Sequence, residues 1–415
     1  MEKEKQFKNN FLWNIIGTSF NAFNSLFFMI IVTRINGTND AGMFTLAFST
    51  ACILYIIGVY AGRIFQVTEK ENINDKEYIV NRIITVLLMI VISILFITIK
   101  RYDIYKSSIF VIICTYKALE AFSEVLFGIL QKNDLLDKVG KSFFIKSIIS
   151  LIAFFVIDIM AKNVILASLM IVLANLIVII LYDVKNVLEV INKEEKVEIK
   201  NALRIFKTGF FVFAISFLGI YIMNAPKYAI DDYLNENLQA IYGIIVMPAT
   251  VVGLFGQFII HPYLNKVVEF YNQNKIKDII NIVKKLVLII AVLGGICIIG
   301  AYLLGIPVLQ LIYGIQLAEY KMNLVVIILA STLSVIGVIY SSILTTIRKT
   351  VVQFIIYCIV TVLAIISSYL LTKSFEINGA TAAYFIIMAA QFILYFICTN
   401  IILTKLLKEV KEEEK

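Results

Sequence analysis

The chain has 415 residues, of which 60% are hydrophobic and only 16% charged, whereas an average soluble domain carries about 25% charged residues. No soluble fold of this length can bury so much apolar side chain, and the mean hydropathy of +0.90 excludes a water-soluble globular protein. The formal charge of +8 sits in short segments between apolar runs, which marks orientation in a membrane and not a nucleic-acid-binding stripe.

The apolar runs approach the roughly 20 residues a helix needs to cross a bilayer core of about 30 Å. Proline is scarce and turn signals are absent within the runs, so helices are expected and barrel strands are not. Met1 to Asn10 is charged and passes directly into the first run from Phe11, which reads as an uncleaved start. Twelve spans are predicted, at 12–33, 42–62, 83–99, 109–130, 143–161, 164–182, 209–226, 240–260, 286–305, 322–343, 351–372 and 379–402. With these bounds 27 of the 37 Lys and Arg residues fall on the side of the N-terminus and 8 on the other, while Lys117 and Lys146 lie within spans. That bias places both termini in the cytoplasm. Cys52, Cys114, Cys297, Cys358 and Cys398 all fall inside apolar runs without metal-like spacing and read as free packing residues.

The longest polar stretch, 183–208, divides six spans from six. The expected organisation is an N-terminal lobe (1–182), a cytoplasmic linker (183–208), a C-terminal lobe (209–402) and a charged tail (403–415). The halves resemble each other: Ala41-Gly-Met-Phe-Thr with Gly62-Arg-Ile-Phe65 corresponds to Ile241-Tyr-Gly-Ile-Ile with His261-Pro-Tyr-Leu264. Each is followed by a polar loop, Asn74-Asp-Lys-Glu77 or Asn274-Lys-Ile-Lys277. Repeats of six spans keep the same orientation and are related by an axis along the membrane normal. The fold class is therefore all-α, with two pseudo-symmetric six-helix lobes.

Charge inside a hydrocarbon layer costs a few kcal/mol or more and marks function by default. Span 4 carries Lys117, Glu120 and Glu124, whose spacing puts them on one helical face. They read either as an ion-coupling site, with the deeper Glu120 the better candidate to exchange a proton or cation, or as ion pairs that fix packing. Span 1 carries Asn14, Thr18, Asn21 and Ser25 on one face with Asn24 beside it, suited to sugar hydroxyls or to interhelical hydrogen bonds. Arg34, Arg63 and Lys227 end spans, where snorkelling is the ordinary role. Pro226 and Pro248 are expected to kink their helices, and Gly294, Gly295 and Gly300 to admit close contact or bending.

Several motifs in order carry a resemblance. They are Asn10-Phe-Leu-Trp-Asn-Ile-Ile-Gly17, Ile31-Val-Thr-Arg34, Ala41-Gly-Met-Phe-Thr-Leu-Ala47, Arg63-Ile-Phe-Gln-Val-Thr-Glu69 and Gly305-Ile-Pro-Val-Leu-Gln-Leu-Ile-Tyr-Gly314. Together with the span count they resemble the polysaccharide flippases of the MOP superfamily, the Wzx-type relatives of MATE exporters. The resemblance implies two lobes rocking about a central cavity and an undecaprenyl-pyrophosphate-linked oligosaccharide as substrate. It implies Arg63, Lys117 and Lys227 as candidate partners of the anionic head group. It implies a monomer in the bacterial cytoplasmic membrane, contacts with membrane lipids, a polysaccharide polymerase as candidate partner and no nucleic acid. No cofactor is expected; coupling to protons or sodium is.

Other classes fit less well. A sugar polymerase needs a sizeable external loop, and an ATPase needs a phosphate-binding glycine loop; neither is present. His261 is the one histidine, and there is no metal-ligand cluster or nucleophile motif. A MATE-type drug exporter and a teichoic-acid precursor flippase share the expected fold, a MurJ-type flippase carries two further spans, and a passive scaffold leaves the charged face of span 4 unexplained.

Overall fold

The computed structural model describes residues 2–68, 73–192 and 194–413, with the side chains of residues 2–5, 7, 411 and 413 left aside. Glu69 and Lys193, both in segments singled out from the sequence, lie outside the described residues, as do Glu414 and Lys415. The described chain is helical throughout and forms two compact units, 1–217 and 218–415.

The N-terminal unit contains α1 (Glu2–Ile35), α2 (Thr38–Val59), the short α3 (Gly62–Thr68), α4 (Asp75–Lys100), α5 (Ile104–Lys132), α6 (Leu136–Ala161) and α7 (Val164–Val178). The last continues through a π-helical turn, Ile179–Val184, into α8 (Lys185–Leu188); α9 (Ile199–Thr208) follows. Next come α10 (Phe210–Tyr233), α11 (Glu236–Asn272), α12 (Ile276–Gly300), α13 (Ile306–Tyr313), α14 (Lys321–Thr346) and α15 (Thr350–Glu413).

The outer surface is apolar where hydrocarbon would surround it, and the polar side chains of a span turn inward. On α4, Leu87, Leu88, Val91, Ile94 and Leu95 are exposed while Asn81, Arg82, Thr85 and Ser93 are buried. Four of the helix starts carry side-chain caps, which satisfy first-turn N–H groups that have no intrahelical partner. Asn74 and Glu77 form a reciprocal capping box at α4, and Asp103, Asn163 and Asn235 cap α5, α7 and α11.

Ten helical stretches among the described residues are long and apolar enough to cross a membrane. Parity raises the number to twelve. Asn10 Nδ2 donates to the Asp134 carbonyl just before the start of α6, and Asn36 Nδ2 donates to Asp158 near the α6 end. α1 and α6 therefore run parallel, which requires an odd number of crossings between them. α2 and α4 supply two, so α5, too charged to count by hydropathy, supplies the third. In the C-terminal unit α15 breaks at Glu376 (φ 51°, ψ −130°). Gln353, before the break, reaches Ser341 and Thr345 at the end of α14, whereas Asn378 and Thr381, after it, pair with Asn323 at the α14 start. The halves of α15 thus run in opposite directions and are two spans. Within each unit the fourth span packs on the second and third: α5 on α2 and α4, and α14 on α11 and α12. This is the packing expected of a repeat.

Several boundaries differ from the sequence reading. α10 continues through Pro226 to Tyr233 and α11 through Pro248, His261 and Pro262 to Asn272, so Lys227 and His261 lie within helices. Neighbouring helices let a membrane helix tolerate the lost donor. Arg82 is a buried helical residue and not a loop base. The described residues of 183–208 pack onto the N-terminal unit, beginning with the fully buried Asp183 and ending in α9 against α4, and the division between units falls after Phe217. The segment 403–413 extends the last helix. A Cβ on Gly294 would run into Thr332, but Gly295 and Gly300 have open space, so only the first is a close-contact glycine.

Candidate functional site

The N-terminal unit holds a cavity of about 70 Å³ between α1, α2, α5 and α6. Asn21 reaches it from α1, Tyr55 from α2, Glu120, Ser123, Glu124 and Phe127 from α5, and Phe143 and Lys146 from α6. Glu120, Ser123 and Glu124 are spaced by three and one, so a single face of α5 supplies them.

Three ion pairs are arranged around this space. Lys117 Nζ lies 2.5 Å from Glu120 Oε2, and Tyr116 OH donates to Glu120 Oε1 at 2.7 Å. The rings of Phe48, Tyr55 and Tyr116 surround the Lys117 ammonium at 4.7–5.9 Å and supply cation–π attraction in place of water. Lys146 Nζ lies 2.5 Å from Asp183 Oδ2 and donates to Ser123 Oγ at 2.7 Å, while Ser142 Oγ donates to Asp183 Oδ1 at 2.6 Å. The third pair is looser: Arg63 Nε lies 3.6 Å from Glu124 Oε2, with the side chains 21% and 16% exposed. Arg63 Nη1 is buried and makes no hydrogen bond.

A break in the second span places Arg63. α2 ends at Val59, Tyr60 adopts φ 50°, and Gly62 at φ 75° starts α3 with Arg63 next in line. Positive φ at Gly62 is free of the Cβ clash that other residues meet there. The break frees carbonyls at the end of α2, and buried acceptors must be satisfied. Arg82 Nη1 and Thr85 Oγ1 both donate to the Gly58 carbonyl, at 2.7 and 2.6 Å. Gln66 of α3 donates to the Val125 carbonyl of α5 at 3.2 Å and lies on Gly128, where a Cβ would clash with its amide.

The asparagines of α1 are placed unequally. Asn21 lines the cavity, Asn24 is buried, and Asn14 Oδ1 is buried without a hydrogen bond. They are held by the crossing of α1 and α6, where Gly17 and Gly140 meet backbone to backbone. Thr18 bonds back to the Asn14 carbonyl of its own helix. Lys227 lies in α10 in the C-terminal unit, half-buried. The structure thus brings Arg63, Lys117, Glu120, Glu124 and Asn21 into one polar interior, with Lys227 in the other unit.

The sequence reading missed Asp183, Arg82 and Tyr55, and gave Lys146 no role. Lys146 carried a signal, as a base inside a span. Asp183 carried none, because it follows the last apolar residues and looks like the start of a loop. The π-helical turn that holds it inside the unit is a local widening of the kind often found at functional positions. Among the described residues no group of acidic, histidine and cysteine side chains is suited to a metal ion.

No protein-family model matches the chain. Over 330 residues it is 25% identical to the capsular polysaccharide biosynthesis protein CapF of Staphylococcus aureus, spanning 78% of this chain and 80% of that one. Its fold matches an inward-facing multidrug resistance MATE family transporter of the MOP superfamily (TM-score 0.68, 13% identity, 95% of this chain and 99% of that one). It also matches the lipid II flippase MurJ in an inward closed conformation (TM-score 0.71, 13% identity, 94% and 87%). These solved structures are transporters and flippases, not enzymes. The chain is a multi-pass membrane protein, and its fold is that of these MATE and MurJ structures.

Proposed function

We propose that this protein moves an undecaprenyl-pyrophosphate-linked oligosaccharide from the inner to the outer leaflet of the bacterial cytoplasmic membrane, by alternating access of its two units, with both termini in the cytoplasm. The single observation that carries the reading is Arg63, a cation presented by a helix break, loosely paired with Glu124 and holding an unused buried donor. A guanidinium fork matches phosphate oxygens in pairs, so the head group replaces Glu124 as its partner. Asn14, Asn21 and Asn24 offer hydrogen bonds to sugar hydroxyls, and Lys117 and Lys227 add positive charge. The likeness to a capsule biosynthesis protein supports the sugar-linked substrate.

Release of Glu124 by Arg63 leaves a carboxylate beside a cavity, where it takes up a proton or sodium ion and couples the cycle to a gradient. Glu120, held by Lys117 and Tyr116, responds through Lys117. The protein acts as a monomer, and a polymerase on the outer face consumes the translocated unit.

The test is a proteoliposome assay with a fluorescent polyprenyl-pyrophosphate oligosaccharide, scored by an impermeant quencher. Wild-type protein should expose the label faster than empty liposomes, and Arg63→Ala should not. Uptake of an organic cation without exposure of the labelled lipid would instead favour a MATE-type exporter. Exposure of a glycerol-phosphate-bearing lipid alone would favour a teichoic-acid precursor flippase.

A further inference from the structure

The helix α9 connects the N-terminal unit to the span beginning at Phe210, and its side chains divide into three stripes. Ala202 and Ile205 are buried against the unit. Ile199 and Leu203, four residues apart, are 64% and 48% exposed, and the neighbouring Val197 and Phe210 are exposed as well. Lys200, Arg204 and Lys207, spaced by four and three, form an exposed basic stripe beside the apolar one. An outward face half apolar and half basic is unfavourable in bulk water and favourable in the plane of a bilayer surface.

The position of the helix agrees with that plane. Tyr60, at the membrane end of α2, donates its hydroxyl to the Phe206 carbonyl at 2.8 Å and stacks on Phe213, in the first turn of α10, at 4.6 Å. Gly209 packs on Ala61, where an added Cβ would lie 2.7 Å from the Ala61 Cβ. α9 is also tied to the start of α4: Glu77 accepts from Glu198 N and from Asn201 Nδ2, and Asn81 Nδ2 donates to the Ala202 carbonyl. It therefore lies level with the ends of two spans, on the face where basic residues are concentrated.

We propose that α9 is an interfacial anchor for anionic phospholipid, with Ile199 and Leu203 among the acyl chains and Lys200, Arg204 and Lys207 at the level of the lipid phosphates. Each basic side chain near an anionic leaflet raises partitioning by roughly fivefold, and the two apolar residues recover the area now exposed. The anchor holds Tyr60 through Phe206, and Tyr60 is the residue at which α2 breaks to present Arg63. Anionic lipid thereby steadies the break. The proposal rests on the membrane placement alone and holds whatever solute the protein moves.

Trp13 is the one tryptophan, so Leu203→Trp in a Trp13→Phe background reports from α9 in the full-length chain. Reconstitution is into bilayers of brominated phosphatidylcholine with and without phosphatidylglycerol. Strong quenching is expected, greater with phosphatidylglycerol, with the increment abolished by high salt or by Lys200→Gln with Lys207→Gln. An unquenched Trp, or quenching indifferent to headgroup charge and salt, would overturn the proposal. The unmodified protein gives a second reading: amide exchange across 199–208 in nanodiscs should be slower with phosphatidylglycerol than with phosphatidylcholine alone. Equal exchange in both lipids also overturns it, whichever way the labelled variant folds.

Discussion

Lys146 and Asp183 form a buried ion pair at 2.5 Å across α6 and the π-helical turn after α7, and each is held by a serine hydroxyl. Removing one partner leaves an uncompensated buried charge, which costs about 3–5 kcal/mol, whereas apolar replacement of both is often neutral. Lys146→Met and Asp183→Leu should each lower the melting temperature in detergent, and the double variant should recover most of the loss. Additive losses in the double variant would show that the pair is not a unit.

Gly17 and Gly140 set the spacing of α1 and α6, since a Cβ on either would meet the partner backbone. Small residues let membrane helices approach closely enough for dispersion to hold them. Gly17→Leu should separate the helices, disturb the cavity at Asn21 and reduce folded yield. Gly295→Ala, in a helix with open space beside it, should be neutral or slightly stabilising, because Ala is favoured over Gly in a helix by about 1 kcal/mol. Equal losses from the two changes would remove the case for a glycine contact.

If Arg63 grips the head group through its fork, charge alone will not replace it. Arg63→Lys should lose nearly as much lipid translocation as Arg63→Ala, with folded yield unchanged in both. Retention of polysaccharide export by Arg63→Ala at normal protein level rules out the assigned role.

Glu120 and Glu124 should separate by phenotype. Glu120 accepts from Lys117 and from Tyr116, so Glu120→Gln leaves Lys117 buried without its partner and should lower the melting temperature. Among the described residues the one ion pair of Glu124 is the looser 3.6 Å contact to Arg63. Glu124→Gln should fold normally and lose dependence on a proton or sodium gradient, measured in proteoliposomes with imposed gradients. Intact gradient dependence in a well-folded Glu124→Gln would leave the pair a packing element.

The crossing of α5 has its own check. Arg101 and Asn133 flank this helix and are exposed. In a cysteine-free background, a cysteine at 101 should react with an impermeant thiol reagent added outside intact cells, and one at 133 only after permeabilisation. The same accessibility at both sites would mean that α5 does not cross.

The sequence by itself determined which segments enter the membrane, since transfer of a run of about 20 side chains into hydrocarbon is a local, additive property. It also exposed the Lys117–Glu120–Glu124 face, because a helical period is written in consecutive residues. It left the partners of those charges open. Arg63 meets Glu124 only because α2 breaks at Tyr60; the sequence puts Arg63 at the end of a span but does not show that the chain turns there into a second short helix. Asp183 looked like a loop residue until the π-helical turn and Lys146, 37 positions earlier, took it inside. Arg82, which falls between the predicted spans 42–62 and 83–99, is buried on the Gly58 carbonyl. Hydropathy assigns each segment a medium, but which faces of distant segments meet is decided by close packing and by the need to satisfy every buried polar group at once. Only the assembled unit solves that problem, and so only the tertiary structure shows which charge answers which.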